Sequence, residues 1–256
     1  MNSLARNIIR KARVSALRVA YQHIQIQGLK FRCPICQFEG PFMTSAFGER
    51  RKHAICPRCL SVERHRLQRL VCDKVFDGLW EPNGKILLQF APDPMTGYLR
   101  GKFESVICAD IFPGKNRIVL DMRDIAMEDA SVDAVYASHV LEHIREDIKA
   151  LQEVQRVLKP GGIAILPVPI VSDSTIEYPE AVATEEYHWR APGFDYFDRY
   201  RAVFGSTRVF SSQDFDDSYQ TYDYGDRMTI NRKRYPYRQP MVGGKHPDFV
   251  PVCFKN

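Results

Sequence analysis

Between residues 84 and 170 the chain alternates short apolar runs with longer amphipathic ones. KILLQFA (85–91), SVICADI (105–111), RIVLDM (117–122), VDAVYAS (132–138) and GIAILPVPI (162–170) are apolar along most of their length. Continuous apolar runs of this size predict strands buried on both faces. Residues 146–158 carry a helical period, which Pro160 should stop before Gly161 and Gly162 turn the chain into the fifth strand. Upstream, Leu67, Leu70, Val71 and Val75 share one face of a helix predicted from about Val62 to Phe76. Strands alternating with helices predict an α/β fold with a mostly parallel sheet covered on both faces. One step is irregular. The turn FPGKN (112–116) leaves too little chain for a crossover helix between the second and third strands.

The cysteines add a second unit. CPIC (33–36) and CPRC (56–59) are 19 residues apart, a spacing at which two knuckles present four thiolates to one tetrahedral cation. Cys33, Cys36, Cys56 and Cys59 are therefore expected to hold a structural Zn²⁺ with a closed shell, in a zinc-ribbon-like module. The plain alternative is two thiol pairs in a small core. A redox CxxC would leave the second pair unexplained. Residues 1–30 lack the continuous apolar stretch of a secretory signal. A reducing, cytoplasmic setting is the expectation for the seven cysteines.

Charge separates the two units further. Residues 1–38 carry seven basic side chains and no acidic one, and residues 39–74 carry eight against four. Beyond residue 74 there remain 21 of the 36 basic and 27 of the 31 acidic residues, a net of −6. Any anion-seeking surface thus belongs to the first third. Residues 4–20 are arginine-rich and amphipathic. They suit peripheral contact with an anionic membrane, a basic arm on nucleic acid, a transit peptide, or a solvated helix packed on its own protein. Arg64, Arg66 and Arg69 follow the cysteine module and are candidates for holding a phosphate or carboxylate; a solvated helix face is the competing reading.

Open parallel sheets take ligands beyond the carboxyl ends of their strands, where strand order reverses. Asp110 and Asp121 close the second and third strands, and Ser138 and His139 follow the fourth. The run LDMRDIAMEDASVDAVYASHVLEHI, followed by ALQEVQRVLKPGGIAIL, resembles class I S-adenosylmethionine-dependent methyltransferases of the type 11 group. The resemblance spans about residues 84–170 and implies a Rossmann-like sheet. It places Asp110 on the cofactor ribose, Asp121 on the adenine amino group and the Met122 backbone amide on the ring. It also matches Asp133 to the acidic residue that opens the fourth strand. Ile125, Ala126 and Met127 stand where Leu-Pro-Phe is usual. The family's first loop is glycine-rich, whereas QFAPDPMTG (89–97) has no glycine before Gly97. Phe90, Ala91 and Asp93 are the residues left to meet the cofactor there, with Ser138 and His139 across from them.

YHWRAPGFDYFDRY (187–200) resembles the H-x-R-x-x-G-x-D-Y-x-x-R-L block of a bacterial subgroup, some of whose members also carry a cysteine module. His188, Arg190, Gly193, Asp195 and Arg199 match it. Lying after the fifth strand, the block is expected on the substrate side, with His188, Arg190 and Asp195 as acceptor contacts. Methyl transfer needs positioning above all, plus a base when the acceptor is a hydroxyl or protonated amine. His139 and His188 are the expected bases. His143 reads as a local structural histidine, and Glu142 as a helix-start residue favoured by the dipole.

The expected order is a basic amphipathic helix (1–30), a zinc module with a linking helix (31–76), a class I methyltransferase domain (77–210) and a C-terminal extension (211–256). The leading expectation is an O-methyltransferase for a small molecule or glycan, cytoplasmic and able to sit against the inner face of the membrane. One alternative is an RNA methyltransferase whose zinc module grips RNA, although the acidic balance beyond residue 74 weighs against it. The other is a non-catalytic zinc-bearing scaffold on a degenerate fold.

Overall fold

The computed structural model describes residues 30–45 and 50–256, together with Ala16, Val19 and Ala20. The expected basic N-terminal helix otherwise lies outside the described residues. The central sheet has seven strands: β5 (Ile86–Phe90), β6 (Ser105–Asp110), β7 (Ile118–Val119), β8 (Val132–Ala137), β9 (Leu158–Ile165), β12 (Ser206–Ser211) and β13 (Phe249–Phe254), in the order β12-β13-β9-β8-β5-β6-β7. The pairs among β5 to β9 are parallel, and β13 runs antiparallel to both β9 and β12. This is an α/β, Rossmann-like sheet, mostly parallel as the apolar strands implied.

Neighbouring positions on each strand feed opposite cores. Leu88, Val135 and Ala164 pack with α3 (Asp147–Val157) and α4 (Tyr196–Phe204), while Leu87, Ala134 and Ile163 pack with α1 (Glu63–Phe76) and α2 (Thr96–Arg100). That period of two sends each strand residue to one cover or the other. The linking helix α1 is thus part of the sheet's own cover, through Leu67, Val71, Val75 and Phe76, rather than a spacer belonging to the cysteine module.

Three expectations are corrected here. The chain from 211 onward, expected as an extension outside the domain, is part of its sheet, because Phe249–Phe254 is inserted between β9 and β12. FVPVCF is short and follows a long polar stretch, which hides it from a periodicity reading. The step between β6 and β7 needs no crossover helix. The short β7 pairs only with the last two residues of β6, Ala109↔Ile118 and Asp110↔Val119, so the chain never returns along the length of the sheet. The KPGG stretch lies inside β9, which begins at Leu158 directly after α3. Gly161 has φ 73° and donates its N–H to the Lys255 carbonyl at 2.8 Å, tying β9 to the end of the chain.

The cysteine module is two small hairpins, β1 (Phe31–Arg32) with β2 (Glu39–Gly40) and β3 (Met43–Ser45) with β4 (Arg51–Ile55). A third hairpin, β10 (Ile176–Val182) with β11 (His188–Ala191), carries the HWRA segment over the carboxyl ends of the strands. Among the described residues no helix is long and apolar enough to cross a membrane.

Candidate active site

Strand order reverses between β5 and β8, and a cavity of about 500 Å³ opens beyond their carboxyl ends. Ala91 and Asp93 line it after β5, and Ser138, His139, Glu142 and His143 after β8. The Glu185–His188 turn and the polar tail close the far side, the tail through Asp223, Arg227, Arg234 and Arg238. Arg51 and the start of α1 complete the wall, so the cysteine module borders the same space.

Both strand ends are bent sharply into the cavity. Ala91 has φ 46° and His139 φ 56°, left-handed values that a Cβ makes costly. Ala91 donates its N–H to the Ala109 carbonyl at 2.9 Å, and His139 its N–H to the Pro167 carbonyl at 2.8 Å. The first loop therefore adopts a glycine-type turn without a glycine. Beneath it, Asp93 accepts from the Met95 N–H at 2.8 Å and from Gln89 Nε2 at 3.3 Å, and the Tyr136 hydroxyl lies 3.2 Å away. The same hydroxyl donates to Gln68 Oε1 at 2.6 Å, while Gln68 Nε2 donates to the Ser138 hydroxyl at 2.8 Å. Burial pushes the Asp93 carboxyl up. Gln68 and Tyr136 escaped the sequence reading because each sits on an otherwise apolar face. Their only signal was a polar group where helix and strand should meet.

The second cluster is built on HVLEH. Glu142 lies in a 3₁₀ turn (Leu141–His143), five residues before α3 begins at Asp147. The expected helix-start role is thus absent, and the side chain turns inward, 1% exposed. His139 Nδ1 is 3.3 Å and His143 Nε2 4.0 Å from Glu142 Oε1. Burial pushes the Glu142 carboxyl up, but hydrogen bonding and charge from His139, with His143 and His188 beyond, hold it down at about 2. The His143 and His188 rings meet edge to face, 4.6 Å between centroids, and His188 Nδ1 is 3.5 Å from Glu185 Oε1. Glu185 in turn pairs with Arg238 of the tail and accepts from the Tyr178 hydroxyl at 3.0 Å. So His139 and His188 do meet at one site, and His143, read from sequence as structural, stands between them.

Other expected site residues have different occupations. Arg190 is buried and does not line the cavity. Its guanidinium donates to the carbonyls of Leu141 at 3.0 Å, Ile144 at 2.5 Å and Arg145 at 2.8 Å, and its Nε–H is shared between both carboxylate oxygens of Glu177. It thereby fixes the HVLEH turn, and the acceptor contact expected of it is corrected to a positioning role. Asp195 is likewise turned away, accepting from the Thr175 N–H and hydroxyl at 2.6 and 2.8 Å. Arg199 pairs with Asp147 and Glu177. Gly193 packs so closely on Ser174 that an added Cβ would lie 2.3 Å from its carbonyl carbon.

Asp110 and Asp121 lie at the sheet's carboxyl edge, outside the cavity wall. Asp110 accepts from Arg117 Nη1 at 2.7 Å and from the Phe112 N–H at 3.0 Å. Asp121 accepts from Arg123 Nε and Nη2, and that arginine holds its carboxyl below the usual range. The side chains of Phe90 and Met122 are core, so any cofactor contact there falls to backbone. Of the three arginines after the cysteine module, Arg66 is fully buried, donating to the carbonyls of Ala54, Ser61 and Gln220 at 2.7–2.9 Å. Arg69 pairs with Asp73 and stacks on Tyr98. Arg64 alone of the three reaches the cavity wall. Glu63 beside it is raised by burial to about 7 against the pull of Arg51, 3.2 Å away.

The four expected cysteines converge. Cys33 and Cys59 Sγ are 3.6 Å apart, as are Cys36 and Cys56, and all four sulfurs lie within 4.8 Å of one another. Zn–S bonds of about 2.3 Å in a tetrahedron set sulfurs roughly 3.8 Å apart, so the donor set fits that ion. Each CxxC makes the same knuckle: Gln37 donates to the Cys33 carbonyl and Leu60 to the Cys56 carbonyl, both at 2.9 Å. Gln37 and Leu60 take φ of 58° and 62° to do so.

The chain is similar to known proteins over part of its length. A methyltransferase domain family model matches residues 95–166. A demethylmenaquinone methyltransferase of Clavibacter sepedonicus is 41% identical over 69 residues, 25% of this chain and 28% of that protein. An uncharacterised 37.1 kDa protein in a Streptomyces fradiae transposon is 27% identical over 106 residues, 41% of this chain and 29% of its own. The matched stretch thus spans under a third of either relative. Among solved structures, the 1,6-didemethyltoxoflavin-N1-methyltransferase of Burkholderia thailandensis, with bound 1,6-didemethyltoxoflavin and S-adenosylhomocysteine, is 13% identical. It aligns with a TM-score of 0.49 over 74% of this chain and 78% of that one. With the strand order described above and the match over residues 95–166, the chain carries a methyltransferase domain of the Rossmann-like, class I type.

Proposed function

We propose that this protein is an S-adenosylmethionine-dependent methyltransferase acting on a hydroxyl of a small molecule or glycan. The observation that carries the reading is the cavity at the reversal of strand order, which has a carboxylate and an arginine on one wall and imidazoles on another. Asp93 suits the ammonium of the cofactor's methionyl group. Arg64, exposed and with no ion-pair partner among the described residues, suits its carboxylate. Asp110 and Asp121 keep the ribose and adenine roles implied by the resemblance, since a carboxylate that holds one arginine retains lone pairs for further donors. Transfer from a sulfonium is an in-line displacement, so the protein's part is to align acceptor and cofactor and to take one proton. His139 and His188 are the bases in reach, with Glu142 and Glu185 orienting them.

The glycine-type turn at Ala91 supports a loop still shaped for cofactor, and so weighs against a non-catalytic scaffold. The RNA alternative draws on Arg64 but loses the support of Arg66 and Arg69, which are engaged within the protein. The cysteine module holds a structural Zn²⁺ on this reading. A cytoplasmic setting rests on the cysteine usage, and peripheral membrane contact on the basic segment 4–20. The test is a screen of metabolite, glycan and RNA fractions with labelled cofactor, comparing the native chain with His188→Ala. A methylated small molecule or glycan, lost or strongly reduced in the variant, is expected. Label found only in RNA, or in no fraction, would overturn the reading.

A further inference from the structure

Glu142, His143 and His188 form a cluster that hydrogen bonding leaves incomplete. One carboxylate oxygen and one ring nitrogen from each histidine lie within 4.8 Å of one another. Glu142 is 1% exposed, yet its Oε2 has no hydrogen-bond partner, and His139 Nε2 is also buried without one. A buried, unpartnered carboxylate oxygen beside an unpartnered imidazole nitrogen is costly unless something binds them. Each member of the trio is also backed by an orienting group, the arrangement that metal ligands require. His139 Nδ1 stands 3.3 Å from Glu142 Oε1, and Glu185 Oε1 stands 3.5 Å from His188 Nδ1. The Glu186 backbone hydrogen-bonds the His143 ring, and Arg190 pins the turn that carries Glu142 and His143 through the Leu141 and Ile144 carbonyls.

We propose that Glu142, His143 and His188 bind a divalent transition-metal cation, distinct from the ion of the cysteine module. Two imidazoles and one carboxylate suit Zn²⁺, Mn²⁺, Fe²⁺, Co²⁺ or Ni²⁺ rather than Mg²⁺ or Ca²⁺. All three ligands line the cavity, so the remaining coordination positions open into the space assigned to the acceptor. There the cation would take an acceptor rich in oxygen donors, such as a vicinal diol or a hydroxy acid, and with His188 on the cation the role of base falls to His139 alone. The binding of metal stands by itself, and only this choice of acceptor rests on the methyltransferase reading.

The test is Co²⁺ titration of the full chain, read by elemental analysis and by visible absorption, which separates thiolate from nitrogen and oxygen ligation. The native protein should take up a second equivalent with nitrogen and oxygen character. Glu142→Gln and His188→Gln should each weaken that uptake at least tenfold and leave the thiolate-bound equivalent and the far-ultraviolet circular dichroism intact. Cofactor binding is followed in the same samples by calorimetry, so a failed methyltransferase reading is seen separately from a failed metal site. A native chain that binds Co²⁺ only on thiolates overturns the proposal. So does a second equivalent that both variants retain. If a variant loses its fold, His143→Gln replaces it and is read by the same two criteria.

Discussion

Among the described residues, two side-chain clusters that could hold a metal ion are built in opposite ways. The cysteine module draws its four sulfurs from two knuckles of the same backbone pattern, 19 residues apart, each closed by its own backbone hydrogen bonds. The cluster at the cavity draws on Ser138–His143, on the Glu185–His188 turn and on Arg238 of the tail. It is held from behind by Arg190. The first arrangement is local and closed, and it suits a staple. The second is assembled by the tertiary fold and opens into the cavity, and it suits chemistry. A staple can be written into spacing, while an open site depends on what the rest of the chain brings to it.

Removing a thiolate should break the first cluster most severely. Cys56→Ser should cost about 4 kcal/mol or more, because loss of a metal ligand belongs to the most destabilising class of change. Chelation of the native protein should act the same way, and a thermal melt unchanged by chelator would contradict the staple. Arg190→Lys probes the second cluster. Lysine cannot reproduce the Nε contact with Glu177 together with three carbonyl contacts, so a loss of about 3 kcal/mol in denaturant unfolding is expected. Cofactor affinity should suffer less, because Arg190 does not line the cavity. Gly193→Ala should cost roughly 1–3 kcal/mol, since its Cβ meets backbone at Ser174 rather than a side chain that can yield. Smallest and opposite in sign is Ala91→Gly. At φ 46° a glycine removes strain, and a gain of about 0.5–1 kcal/mol is expected. A measured loss there would mean that the Ala91 side chain contributes packing the turn depends on.

The sequence made the parallel sheet legible because strands buried on both faces leave continuous apolar runs. It made the cysteines legible because their chemistry is carried by spacing. It failed at β13, whose six residues follow a polar stretch, and at Glu142, whose inward direction depends on a 3₁₀ turn held by an arginine 48 residues later. Arg66 and Arg190 misled in the same manner. An arginine pattern looks alike whether the guanidinium faces a ligand or satisfies buried carbonyls, and only the packed structure separates the two. His139 and His188 could be singled out, but their meeting across the cavity is a property of the fold.

The central claim is that the cavity beyond β5 and β8 binds the cofactor. Isothermal titration of the full chain with S-adenosylmethionine tests it most directly, with Asp93→Ala and Arg64→Ala alongside. The account predicts a saturable single-site heat for the native protein and at least tenfold weaker binding in each variant. No saturable heat in the native protein, or unchanged affinity in both variants, would contradict it.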